Sequence, residues 1–486
     1  MTGDKQGFDR LGEIYKMMWT KTICSPLLVL LAGLVVWGWG DPPAATRVAN
    51  EKQDLPEVTE GIRPKLTNSA LPEGIPAHDA TTQSVTPRWY RGNLHTHSFW
   101  SDGDDFPEMI VRWYTDQGYH FLALTDHNIL SRGEKWISLD TVEKRSGGPE
   151  CMEKYQTAFG GDWVQIRESQ GATQVLLCPL DRIRERFEKE GEFLLIEAEE
   201  ISDSVNGKPL HMNASNLEQL LRPTGGASVR EAIDSNLRAA AEQAERTGRQ
   251  ILVHLNHPNF GWAVTAEDLA AVTRNRFFEV YNGHPGVNHN GDANRPSIER
   301  MWDIINTLRI DKFNVLPLFG LAVDDSHSYH GKPGGSHPGR GWVCVRADEL
   351  NAEQLIGAMH RGDFYASSGV ELKTLQFDKE NKVLQLEIVP APGVTYQTQF
   401  IGTRKGYDET TKSKEDAEGK PVPGTRVYSA EIGEVLATSA ELQPTYQLKG
   451  DELYVRAVIT ASCDHPDPSF SGQKPQAWTQ PVGWEK

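Results

Sequence analysis

Short apolar runs recur along the middle of this chain, and each one ends in side chains of the kind that bind metal ions. Residues 89–94 lead into His95-Thr96-His97, 121–125 into Asp126-His127, and 193–198 into Glu199-Glu200, with His211 a short way on. Residues 250–255 carry His254 and end in Asn256-His257-Pro258; 277–281 carry Glu279 and end in Asn282; 315–323 end in Asp324-Asp325-Ser326-His327. Amphipathic stretches separate them, the longest being 228–247, where Ala232, Ile233, Leu237, Ala240, Ala241 and Ala244 fall at helical spacing. Strand-length runs alternating with helices predict an α/β fold. Polar groups gathered at the C-terminal ends of many strands predict a (β/α) barrel with one polar mouth.

The densest part is 91–128. Residues two apart in a strand share a face, so His95 and His97 can reach one ion. Asp102 comes next, in a Ser-Asp-Gly turn. A helix is predicted over 106–117, with Pro107 at its start, Asp104, Asp105 and Glu108 around its first turn, and Gly118 closing it. Residues 129–190 are too many for a plain connection, and they predict an inserted cover over the mouth.

Charge and cysteines narrow the class. The net charge of −17 comes with no basic stripe, which argues against nucleic acid as a partner. An anionic substrate stays compatible, because a cluster of divalent cations reverses the local field. The five cysteines show no C-x-x-C spacing, which excludes a zinc ribbon; Cys151 and Cys178 can pair if the chain is exported. The apolar run 23–39, with Lys16 and Lys21 before it, predicts a signal peptide or an N-terminal membrane anchor within residues 1–40 and export of the rest of the chain. Residues 41–87 read as a linker, and 88–370 as the barrel. From 371 to 486 short alternating segments predict a small C-terminal β-sandwich, interrupted by a charged loop at 402–426.

HTHSFWSDG, FLALTDHN, LIEAEEIS with His211 beyond it, LNHPNFGW and AVDDSH resemble, in order and spacing, the motifs of the PHP (polymerase and histidinol phosphatase) superfamily of metal-dependent phosphoesterases. The similarity covers roughly residues 90–370 and looks like the exported branch with a C-terminal β-domain. It implies a distorted (β/α)7 barrel with up to three metal ions at the strand ends. Carried onto this chain, the implied ligands are His95, His97, Asp102, His127, Glu200 rather than Glu199, His211, His257, Asp325 and His327. Nitrogen and oxygen donors without thiolate suit two or three divalent ions of Zn, Mn or Fe. His120, His254, Asp324 and His330 lie beside the motifs as supporting groups, and His254 or His330 is the candidate proton donor to a leaving oxygen.

The expected reaction is hydrolysis of a phosphomonoester or phosphodiester by a metal-bound hydroxide at a di- or trinuclear site, on a small anionic substrate. One alternative is a carbamate, carboxylic ester or amide hydrolase using the same site. Such barrels often carry a metal-bridging Lys and a single late Asp, where this chain has Glu200 and an Asp-x-His. The other alternative is a non-enzymatic surface binding protein, whose mark would be loss of ligands.

Overall fold

The computed structural model describes residues 87–416 and 418–485; the predicted signal or anchor, with its apolar run 23–39, and the linker up to residue 86 lie outside the described residues. Among the described residues no helix is long and apolar enough to cross a membrane.

Arg88–Asn93 (β1) and Phe121–Leu124 (β2) pair in parallel around the helix Pro107–Asp116, which opens on its proline as the sequence predicts. Residues 129–190 then build a layer of their own. Lys135–Ser138 (β3), Ile166–Ser169 (β4) and Ala172–Leu177 (β5) form a three-stranded antiparallel sheet. Its apolar side, with Val142, Cys151 and Tyr155 of the helices Leu139–Ser146 and Glu150–Phe159, packs on Phe99, Trp100 and Phe106. Tyr155 stacks on Phe106 at 3.9 Å. The cover is therefore seated on the loop that carries Asp102.

Leu194–Val205 (β6) and Lys208–Ser215 (β7) depart from a plain βα repeat. Asn206 and Gly207 both hold positive φ, 52° and 75°, and two such residues make the tight turn that joins antiparallel strands. β7 accordingly folds straight back on β6, from Val205 opposite Lys208 to Ala198 opposite Ser215. The hairpin sets Ser202 opposite His211, which puts His211 beside Glu200 without any helix between them.

Leu252–Leu255 (β8), Phe277–Asn282 (β9) and Phe319–Val323 (β10) complete an arc of seven strands ordered β1-β2-β6-β7-β8-β9-β10. Its two ends meet just past the strands. The Asp325 N–H donates to the His95 carbonyl and the His97 N–H to the Ser326 carbonyl, both at 3.0 Å.

Trp342–Ala347 (β11) and Phe364–Ser367 (β12) extend the sheet antiparallel on the far side of β1. β12 is buried along its whole length, so its second edge needs a partner. That partner comes from the end of the chain. After Leu372–Asp378 (β13), Val383–Ile388 (β14), Tyr396–Arg404 (β15), Thr411–Lys412 (β16), Val427–Tyr428 (β17), Glu434–Ser439 (β18), Thr445–Gln447 (β19) and Glu452–Ala461 (β20), the strand Gln476–Thr479 (β21) pairs with β12. Where the sequence predicts a self-contained sandwich, β21, β20, β15 and β18 instead prolong the main sheet, and β13, β14 and β19 form a separate three-stranded sheet. Leu384, Leu386 and Ile388 of that sheet share a core with Phe400, Val455 and Ile459 of the main one.

Candidate metal centre

Of the nine residues implied as ligands, Glu200 and His211 lie within the β6–β7 hairpin and the other seven beyond strand ends, and side-chain contacts join all nine into one group. His95 and His97, both fully buried, come directly after β1 with their Nε2 atoms 3.1 Å apart. Glu200 of β6 is the hub. Its Oε2 lies 3.3 Å from His95 Nε2, 3.1 Å from His97 Nε2 and 3.0 Å from His127 Nδ1; its Oε1 lies 2.9 Å from His211 Nδ1 and 3.8 Å from His257 Nε2. Asp325 Oδ1 stands 3.2 Å from His95, 3.3 Å from His97 and 3.5 Å from His327. Asp102 closes the outer side, 3.4 Å from each of His97, His127 and His327. His257 and Asp325 hold left-handed backbones, φ 24° and 48°, a costly conformation that tends to cluster at functional sites.

Electrostatics reflect the crowding. Burial opposes charge on Glu200, Asp325 and Asp102, yet the imidazoles hold Glu200 and Asp325 well below the usual carboxylate range, and Asp102 falls for the same reason. Burial likewise depresses His97, but the facing carboxylates of Asp325 and Glu200 more than reverse it and carry the ring to about 10; His95 also rises well above its ordinary value. Buried carboxylates thus draw protons onto the imidazoles as counter-charge. Divalent cations fit that role: the donor set is nitrogen and oxygen, and Glu200 Oε2 is buried without a hydrogen-bond partner.

A shell of supporting groups fixes the donors. Glu279 of β9, fully buried, places Oε1 2.7 Å from His95 Nδ1 and with Oε2 accepts the His257 backbone N–H at 2.7 Å. Burial raises its carboxyl, but His95 and His254 bring it down to about 2. Asn282 Nδ2 donates to both Glu279 and Asp325, and Asn256 Nδ2 to Glu200 Oε1 at 2.9 Å. A carboxylate behind an imidazole sets its tautomer and direction. Glu279→Gln is expected to weaken cation binding roughly 10–100-fold, measured by titration calorimetry with Mn2+.

Other residues of the motifs go elsewhere. Asp126 accepts from Ser98 and Ser101, and Asp324 from the backbone N–H groups of Gly339, Arg340 and Gly341. His120 Nδ1 accepts from the Arg91 N–H. His254 is fully buried, 3.3 Å from Glu279 behind His95, and His330 donates to the Asp104 carbonyl at 3.0 Å beside Asp105. Of the two candidate proton donors, His254 meets the nine-residue group only behind His95, edge-on to its ring and sharing Glu279 with it. Cys151 and Cys178 are separate buried thiols, not a disulfide.

The sequence marks Glu279, a lone carboxylate inside an apolar strand, but gives it no role. One further group was not legible as part of the site. His284, just past β9, sets its ring 5.7 Å from His327 and accepts the Gly286 N–H at Nδ1; burial lowers its pKa.

Glu199 behaves oppositely to its neighbour. Successive strand residues face opposite ways, and Glu199 is fully buried with the Leu221 N–H as donor to Oε1 and no partner for Oε2. Burial pushes its carboxyl up to about 8. The protonated form is the native one, so this stability is complete below about pH 4.5 and is lost as pH rises towards 8. Glu199→Gln is expected to stabilise the fold by about 2 kcal/mol at pH 7 and by nothing at pH 4, measured by urea unfolding at the two pH values.

No family model matches the chain, and no curated protein matches it. Among solved structures it is similar to a two-domain protein of Bacteroides vulgatus containing a predicted PHP-like metal-dependent phosphoesterase, at 17% identity over 82% of this chain and 96% of that one, with a TM-score of 0.35. It is also similar to a Bifidobacterium adolescentis protein named as a metal-dependent phosphoesterase, at 15% identity over 52% of this chain and 92% of that one, with a TM-score of 0.26.

Proposed function

We propose that this chain is a metal-dependent phosphoesterase whose nine residues, His95, His97, Asp102, His127, Glu200, His211, His257, Asp325 and His327, hold two or three divalent cations at the mouth of a seven-stranded barrel. One observation carries the reading: Glu200, 1% exposed, meets five imidazoles and leaves one oxygen without a hydrogen bond. Cations bound there supply Lewis acidity, lowering the pKa of a water towards ~7 and neutralising charge on the oxygens of an ester.

The chain's own residues do the rest. Asp102 and Asp325, at opposite sides of the imidazole pair, fix the spacing of the donors. Asn282 ties Glu279 to Asp325, so the donors of β9 and β10 keep one register. His284, rather than His254 or His330, would donate a hydrogen bond to the leaving oxygen, whose proton comes from water. Its Nδ1 accepts a backbone N–H, so the neutral ring carries its proton on Nε2. Two or three divalent charges against three carboxylates favour an anionic ester, and the cover at 129–190 bounds its size. The lysines before residues 23–39 support an exported protein, retained or released at its N-terminus.

The test is elemental analysis of the purified chain with turnover of p-nitrophenyl phosphate and bis(p-nitrophenyl) phosphate in Mn2+ or Zn2+. Two or three ions with metal-dependent turnover are expected. Bound ions without turnover on either dye would move the reading to a carbamate or carboxylic ester; a chain that takes up no metal would end it.

A further inference from the structure

We propose that Asp105, Cys151 and His330 form a second cation site, separate from the nine-residue group, that pins the 129–190 cover to the barrel. The three come from distant parts of the chain. Asp105 lies just before the helix Pro107–Asp116, Cys151 is in the cover helix Glu150–Phe159, and His330 lies beyond β10. Their ligating atoms all fall within 4.8 Å of one another.

The spacing suits one small ion. Tetrahedral angles at zinc put sulfur and oxygen ligands about 3.5 Å apart and nitrogen and oxygen about 3.3 Å apart. Cys151 Sγ is 3.5 Å from Asp105 Oδ1, and His330 Nε2 is 3.7 Å from Asp105 Oδ2. Asp105 is 6% exposed and Cys151 2%. The Asp105 Oδ1 is oriented by the Phe106 N–H, whereas the separation from Oδ2 to His330 is too long for a hydrogen bond. The Asp104 carbonyl lies 3.0 Å from His330 Nε2 and holds the ring in place.

Chemistry selects the ion. A thiol beside an imidazole and a carboxylate suits Zn2+ and its relatives over Mg2+ or Ca2+. Binding expels the thiol proton, and the imidazole proton moves from Nε2 to Nδ1, so one proton leaves to solvent for each ion bound to ionised Asp105. Burial keeps the Cys151 thiol protonated and raises Asp105 to about 6. The consequence is mechanical. An ion here would lock the cover helix to the two segments that flank Asp102 and His327.

Cobalt substitution separates this site from the other, because the nine-residue group contains no thiol. The full chain loaded with Co2+ is expected to show a thiolate-to-cobalt charge-transfer band in the near ultraviolet. Cys151→Ala should lose that band and one cobalt per chain, while Asp325→Ala loses cobalt elsewhere and keeps the band. Cobalt bound without a band, or a band that persists in Cys151→Ala, would overturn the proposal and leave the phosphoesterase reading untouched. Should Cys151→Ala fail to fold by circular dichroism, His330→Gln decides: a shifted or lost band supports the site, and an unchanged one rejects it.

Discussion

Glu200→Gln is expected to lower ester hydrolysis by on the order of 10³-fold or more and to reduce bound cations, while leaving the fold intact. Glutamine keeps the shape of the side chain and removes its charge. The effect is large because Glu200 touches five imidazoles from four different parts of the chain. Asp102 and Asp325 each reach only two of them and His327, and among the described residues no other carboxylate spans both His95 and His211. Without cations the same substitution removes one of the three carboxylates, Asp325, Glu200 and Glu279, that keep His95 charged, so the rings shift towards neutrality. The variant should therefore melt near the wild type in a chelator and well below it in saturating Mn2+, since ligand binding stabilises only the protein that binds it. Elemental analysis and turnover on the same sample check it. Wild-type turnover from a folded Glu200→Gln protein would show that the hub is not the reactive centre.

The site was legible in the sequence to the extent that local spacing determines it. His-x-His at a strand end and Asp-x-His after an apolar run place donors on known faces, and the nine residues do converge. What local spacing does not encode is what lies behind them. Glu279 reaches His95 from a strand 184 residues away, and only the closing arc of the sheet makes them neighbours. Asp126 and His127 read as an equivalent pair, yet strand alternation sends Asp126 to Ser98 and His127 to Glu200. The β6–β7 hairpin is a different case. Its signal, Asn206-Gly207 between two apolar stretches, is entirely local, but the expectation of a repeating βα unit overrides it. The prolongation of the sheet by β21 had no local signal at all. β12 and β21 pair across more than a hundred residues, and what drives the pairing is the open edge of a buried strand rather than any motif in either segment.

That continuity has a thermodynamic counterpart, and Asp303→Ala exposes it. Asp303, on the helix Ile298–Thr307, accepts the Arg456 guanidinium of β20 at 2.8 and 2.7 Å and the Tyr454 hydroxyl at 2.8 Å. Asp303 is 4% exposed and Arg456 1%. Removing one partner of a buried pair strands the other's charge, which costs about 3–5 kcal/mol. Glu299 lies 3.5 Å from a second guanidinium nitrogen and compensates in part, so the lower end is expected. The double variant Asp303→Leu with Arg456→Met should lose much less, because it leaves no charge behind. Since the pair links the helix Ile298–Thr307, which precedes β10, to a C-terminal strand of the same sheet, the loss should appear as one cooperative transition shifted to lower urea, with cation content at the centre unchanged. A barrel and a C-terminal module that unfolded independently would give two transitions, only one of them moved. That result would mean that the hydrogen bonds from β12 to β21 continue the sheet without coupling its two halves.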